Sequence, residues 1–71
     1  MKKRSITIAG HRTSISIEEP FWEALKEIAA RDGKSLAALV AAIDAERPTD
    51  VNLSSAIRLH VLRHVLQRIG G

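Results

Sequence analysis

Arg12, Ser14 and Ser16 sit at alternate positions, so in an extended chain one guanidinium and two hydroxyls project from the same face. A row of small polar donors and acceptors with an arginine and no acid suits the edges of nucleic-acid bases. The intervening Thr13, Ile15 and Ile17 point the other way, toward a core. Just upstream, Lys2, Lys3 and Arg4 form a basic run, and residues 1–17 contain no acid at all. The net charge of +3 is modest, but the cations cluster beside this polar face, which favours a polyanion partner.

Other chemistry is poorly supported. Ser14 and Ser16 have no histidine fixed beside them, and the carboxylates are scattered over helix surfaces and caps, so no nucleophile or acid–base pair emerges and no enzyme is expected. His60 and His64 stand four apart on a helical stretch and can in principle reach one metal ion. The acid that would follow the first histidine in a zinc-protease helix is replaced by Val61, and no third ligand is visible, so neither a metal nor any other cofactor is expected. With no cysteine there are no disulfides and no thiolate sites.

The elements that must position Arg12, Ser14 and Ser16 follow from periodicity. His11 to Ile17 reads as a β-strand, and the stretch after residue 18 reads as helix. A lone strand leaves its backbone donors and acceptors unmet, so its natural mate is the same strand of a second copy, as a two-stranded antiparallel ribbon across a dimer. Ser5-Ile6-Thr7-Ile8-Ala9 alternates too, but with the opposite phase, and the slip falls at Gly10. Residues 1–10 are therefore either a basic arm or an extra strand folded back as a hairpin, with one long bulged strand as a third arrangement.

Glu18-Glu19-Pro20 marks a helix entry, with acids at the positive end of the dipole and proline in the first turn. The first helix is expected from about Pro20 to Arg31, with Phe21, Leu25, Ile28 and Ala29 on its core face and Trp22 at the edge of that stripe as packing. Gly33 ends it. Ser35 caps a second helix bearing Leu36, Leu39, Val40 and Ile43, with Ala37, Ala38, Ala41, Ala42 and Ala45 permitting close approach at a dimer interface. Pro48 stops it. Asn52 or Ser54 caps a third helix to about Ile69, whose Leu53, Ile57, Val61, Leu62, Val65, Leu66 and Ile69 cover more than one packing surface needs.

At 71 residues a single core contributes only a few kcal/mol, roughly 3–5, and oligomerisation is the usual supplement when disulfides are absent. A composition that is 45% hydrophobic favours folding over disorder. Lys2-Lys3-Arg4 is not followed by an unbroken apolar run, and nothing approaches a membrane span, so a soluble cytoplasmic protein is expected.

The order strand, proline-started helix, glycine, serine-capped helix, carried by Arg12 to Leu25, Ile28-Ala29, Gly33-Lys34-Ser35 and Leu39-Val40, resembles the ribbon-helix-helix DNA-binding domain family. The resemblance covers residues 11–47 as the core, and residues 52–69 look like the added C-terminal helix of a subgroup of it. It implies a mostly helical α+β fold: a dimer with an intermolecular two-stranded ribbon, plus the third helix. It also implies a transcriptional regulator that lays the ribbon in the major groove of double-stranded DNA, with Arg12, Ser14 and Ser16 reading bases. By the same resemblance, the N-terminus of the second helix clamps a phosphate through Ser35 and the N–H groups after it, such as that of Leu36, with Lys34 nearby. Lys2, Lys3 and Arg4 would add phosphate contacts. Members of this fold also include antitoxins, so a protein partner docked on the C-terminal helix is the alternative.

Overall fold

The computed structural model describes residues 2–8 and 10–70, and of Lys2 the backbone alone. Two strands, β1 (Lys2–Ile8) and β2 (His11–Ile17), are followed by three helices, α1 (Glu19–Arg31), α2 (Leu36–Glu46) and α3 (Leu53–Gly70). The two strands pair with each other, antiparallel, from Lys2 opposite Ile17 to Ile8 opposite His11.

Of the arrangements open for the N-terminal stretch, this is the extra strand folded back as a hairpin. β1 occupies one edge of β2, and the other edge has no strand beside it among the described residues of the single chain. The phase slip at Gly10 supplies the reason. Only residues 9 and 10 link the paired ends, so every cross-strand pair matches an even-numbered residue with an odd-numbered one, as in Ile6 opposite Thr13. Residues directly opposite share a face. The even isoleucines of β1 and the odd isoleucines of β2 thus come to the same side, which an unshifted alternation would not achieve. Gly10 has φ +81°, a left-handed value that glycine takes without steric cost.

The inner face of the ribbon packs on the helices. Ile8, Ile15 and Ile17 join Leu25, Ile28, Leu39, Val40, Ile43 and Ile57 in one core, with α2 lying against β1 and α3 against β2. On α1, Trp22 is buried and Phe21 only half-buried, the reverse of the expected order. The cause lies on β1: the Arg4 guanidinium sits over the Trp22 ring, 5.0 Å from its centroid, and pairs with Glu19. A cation from the hairpin thereby covers an aromatic that the helix pattern alone leaves at the margin.

Helix termini follow local chemistry. Gly33 adopts φ +66°, and the amides of Gly33 and Lys34 donate to the carbonyls of Ala30 and Ala29, a Schellman closure of α1. Glu18 precedes α1 but makes no side-chain cap, because its carboxylate accepts from Arg58 Nε of α3 at 2.8 Å. That bond joins α3 to the junction of ribbon and α1. Arg47 bridges Asp44 and the Val51 carbonyl across the α2–α3 connector, at 2.6 and 2.7 Å. Asn52 then caps α3 by accepting from the Ser55 amide at 2.9 Å.

Only the first half of α3 is covered. Ala56, Ile57 and Val61 are buried, whereas Leu59, Leu62, Val65, Leu66 and Ile69 are exposed, Ile69 by 78%. In a single chain the apolar surplus read from the sequence remains open.

Candidate nucleic-acid interface

The register that buries the isoleucines sends Arg12, Ser14 and Ser16 to the opposite face, and all three are exposed. β1 contributes a second row that the sequence reading did not assign to this face. Thr7 stands opposite Arg12, Ser5 opposite Ser14 and Lys3 opposite Ser16. Each of these is exposed as well. The face therefore carries two cations and four hydroxyls, with no acid and no large apolar group. Its signal was present in the sequence as the alternation of Lys3, Ser5 and Thr7, and it became interpretable only once the two-residue connection set the register.

Of the basic residues expected to meet phosphate, Lys3 lies on this face and the Lys2 side chain falls outside the described residues. Arg4 is placed elsewhere. It stands opposite Ile15 on the inner side, its guanidinium is shared between Glu19 and Trp22, and its buried Nε has no partner.

Lys34 and Ser35 link α1 to α2, and Leu36 opens α2. Ser35 has extended backbone angles, and its Oγ accepts from the Ala38 amide at 3.1 Å. That bond satisfies one donor of the first turn. The amides of Leu36 and Ala37 lie at the first two helical positions, where no intrahelical acceptor exists, and the exposed Lys34 immediately precedes the cap. The arrangement can hold an anion through the two amides, the Ser35 hydroxyl and the ammonium.

His60 and His64 lie side by side on α3 with ring centroids 6.5 Å apart. Burial, then the neighbouring His64, holds His60 below its ordinary pKa. Among the described residues no three His, Cys, Asp or Glu side chains gather in a way that could hold a metal ion. Glu18 is held below the usual carboxylate range by its hydrogen bond from Arg58. Among the described residues, no helix is long and apolar enough to cross a membrane.

An antiparallel ribbon with one polar, cationic face, backed by helices with a serine-capped N-terminus, defines a ribbon-helix-helix fold with an added C-terminal helix. The chain belongs to the ribbon-helix-helix domain family, whose model matches residues 1–65. Members of that family are generally DNA-binding transcription regulators or antitoxins, typically bind DNA as dimers, and are not enzymes. The match includes the first strand and most of α3, beyond the core that resembled the family in sequence. No curated protein and no solved structure matches the chain.

Proposed function

We propose that the protein is a sequence-specific DNA-binding transcriptional regulator of the cytoplasm that seats its β-ribbon in the major groove and works as a homodimer. The observation that carries this reading is the outer face of the ribbon, an exposed surface of arginine, lysine and hydroxyls without a single carboxylate. An antiparallel ribbon is one of the few elements that fits a major groove, and the side chains suit base edges. Arg12 is the main reader, able to make two hydrogen bonds to guanine, and Ser14 and Ser16 each add one weaker bond. Lys2 and Lys3 meet the flanking phosphates. The turn at Lys34, Ser35 and Leu36 clamps a further phosphate and sets the angle of approach. Arg4 takes no part in this, since its charge is already opposed by Glu19.

A second copy covers the open face of α3. Leu59, Leu62, Leu66 and Ile69 recur at alternating spacings of three and four, the pattern with which one helix seats its side chains against another. The same exposed face supports a second reading, an antitoxin or interaction module whose α3 docks a different protein. Selection of bound duplexes from random DNA tests the main reading. Recovery of a common sequence supports it, and binding without any enrichment refutes it. Light scattering of the parent and of Leu66→Ala separates the two uses of α3, with a dimer weakened by the substitution for the first and a dimer unaffected by it for the second.

A further inference from the structure

A cleft of about 150 Å³ opens where the C-terminal end of α2, the connector and the middle of α3 meet, and no ribbon residue lines it. Ile43, Val51, Ala56 and Leu59 form its apolar wall, and Glu46, Arg47, His60 and Arg63 supply its polar groups. Arg47 is already committed, to Asp44 and to the Val51 carbonyl. The side chains of Glu46 and Arg63 are exposed and make no hydrogen bond or ion pair among the described residues. We propose that this cleft binds a small apolar amino acid as a free zwitterion, with its carboxylate on Arg63, its ammonium on Glu46 and its side chain against the apolar wall.

Size sets the first limit. A space of 150 Å³ walled by aliphatic groups takes a molecule of about benzene's size. Pockets for drug-sized ligands are larger, about 300 Å³ or more, so a nucleotide does not fit, whereas an aliphatic or phenyl side chain does.

Charge sets the second limit. A carboxylate alone meets Arg63 but leaves Glu46 unopposed, and an amine alone does the reverse. A ligand that carries both signs a few bonds apart answers both. α2 ends at Glu46, so its last carbonyls favour a cation at that end of the cleft, which assigns the ammonium to the α2 side and the carboxylate to α3. Glu46 and Arg63 act on the same ring, His60, in opposite directions. Half-buried and held below its ordinary pKa, chiefly by burial, His60 adds a hydrogen bond near neutral pH without adding charge. Leu59 belongs also to the open row of α3, so the cleft borders the face assigned to a second copy.

The experiment titrates the full chain with L-leucine, with 4-methylpentanoate, which keeps only the carboxylate, and with 3-methylbutylamine, which keeps only the ammonium. Binding is followed by NMR at the methyl groups of Ile43, Val51, Ala56 and Leu59, in the parent and in Arg63→Gln, Arg63→Lys and Glu46→Gln. Both positions are exposed, so all variants should melt as the parent does. We expect saturable shifts of these methyl groups with leucine, and affinities for the two single-charge probes about 5- to 20-fold weaker, the effect of losing one charged hydrogen-bonding partner. Arg63→Gln should weaken leucine by a similar factor and leave the amine unaffected, and Arg63→Lys should retain most of the binding. Glu46→Gln should weaken leucine and leave the carboxylate probe unaffected. Absence of saturable shifts up to about 10 mM leucine overturns the proposal, as it would if a side chain of a second copy filled the cleft. Equal affinity for the three probes overturns it as well, and so does a loss of leucine binding in neither or only one of the two glutamine variants, because the two charges would then not act together on one ligand.

Discussion

Arg4→Ala separates a structural arginine from a phosphate ligand, and its cost can be worked from the geometry around it. The guanidinium lies 5.0 Å from the Trp22 centroid, inside the range of about 6 Å for attraction to a ring face. Its side chain is 24% exposed, so the cation is partly desolvated and the interaction stabilises by about 1–2 kcal/mol. Glu19 is half exposed, and its ion pair with Arg4 adds no more than about 1 kcal/mol after solvent screening. The sum is about 1–3 kcal/mol. For a domain of this size each kcal/mol lowers the melting temperature by about 4–8 °C, so the variant should melt several degrees lower at matched protein concentration. Glu19→Ala alone should cost less, and the double variant should reveal a coupling below about 1 kcal/mol. Because Arg4 faces the helices, the salt dependence of DNA binding should stay as it was. An unchanged melt together with a salt slope reduced by about one would refute this reasoning, since that slope counts phosphates neutralised.

Further outcomes follow from the same packing. Ile57→Ala, at a fully buried position on α3, should cost roughly 2–5 kcal/mol by chemical denaturation. Leu66→Ala, 56% exposed in the single chain, should cost a comparable amount only if a second copy covers it, and the loss should then shrink as the protein is diluted. The parent's melting temperature should itself fall over a hundredfold dilution, and a constant value with a monomer mass would exclude the dimer. Acid should destabilise the fold in two stages. His60 is held below its ordinary value of 6.5 and Glu18 below 4.5, so for both groups the unfolded chain binds more protons. Stability should be complete above 6.5, fall below it through His60, and fall again below 4.5 through Glu18. His60→Gln should flatten the first stage and Glu18→Gln the second, read from denaturation midpoints across pH.

Much of this architecture is legible in the sequence because its signals are local. Alternation at His11–Ile17, Pro20 in a first turn, Gly33 at a left-handed position and Ser35 as a cap each act within a few residues, and each stands where expected. The pairing of the ribbon is harder to read. The phase slip at Gly10 fits an arm, a bulge or a hairpin, and only the closure of Ile8 on His11 identifies the last. Pairs distant in sequence leave no trace in it: Arg4 over Trp22 and Arg58 on Glu18 join residues 18 and 40 positions apart, and no periodicity encodes them. The outer face is half visible. Arg12, Ser14 and Ser16 can be assigned from their own strand, whereas Lys3, Ser5 and Thr7 need the register to join them.

Titrations of the parent, Arg12→Ala and Lys34→Ala on a selected site and on a scrambled duplex, each at two salt concentrations, test the central claim most directly. Arg12→Ala should lose about 1–3 kcal/mol of discrimination per site, the worth of a bidentate pairing with guanine, and bring the two duplexes closer in affinity. Lys34→Ala should weaken both duplexes alike and lower the salt slope by about one for each phosphate no longer neutralised. Equal weakening of both duplexes by the two variants would contradict the account, because the polar face of the ribbon would then contribute charge without reading sequence.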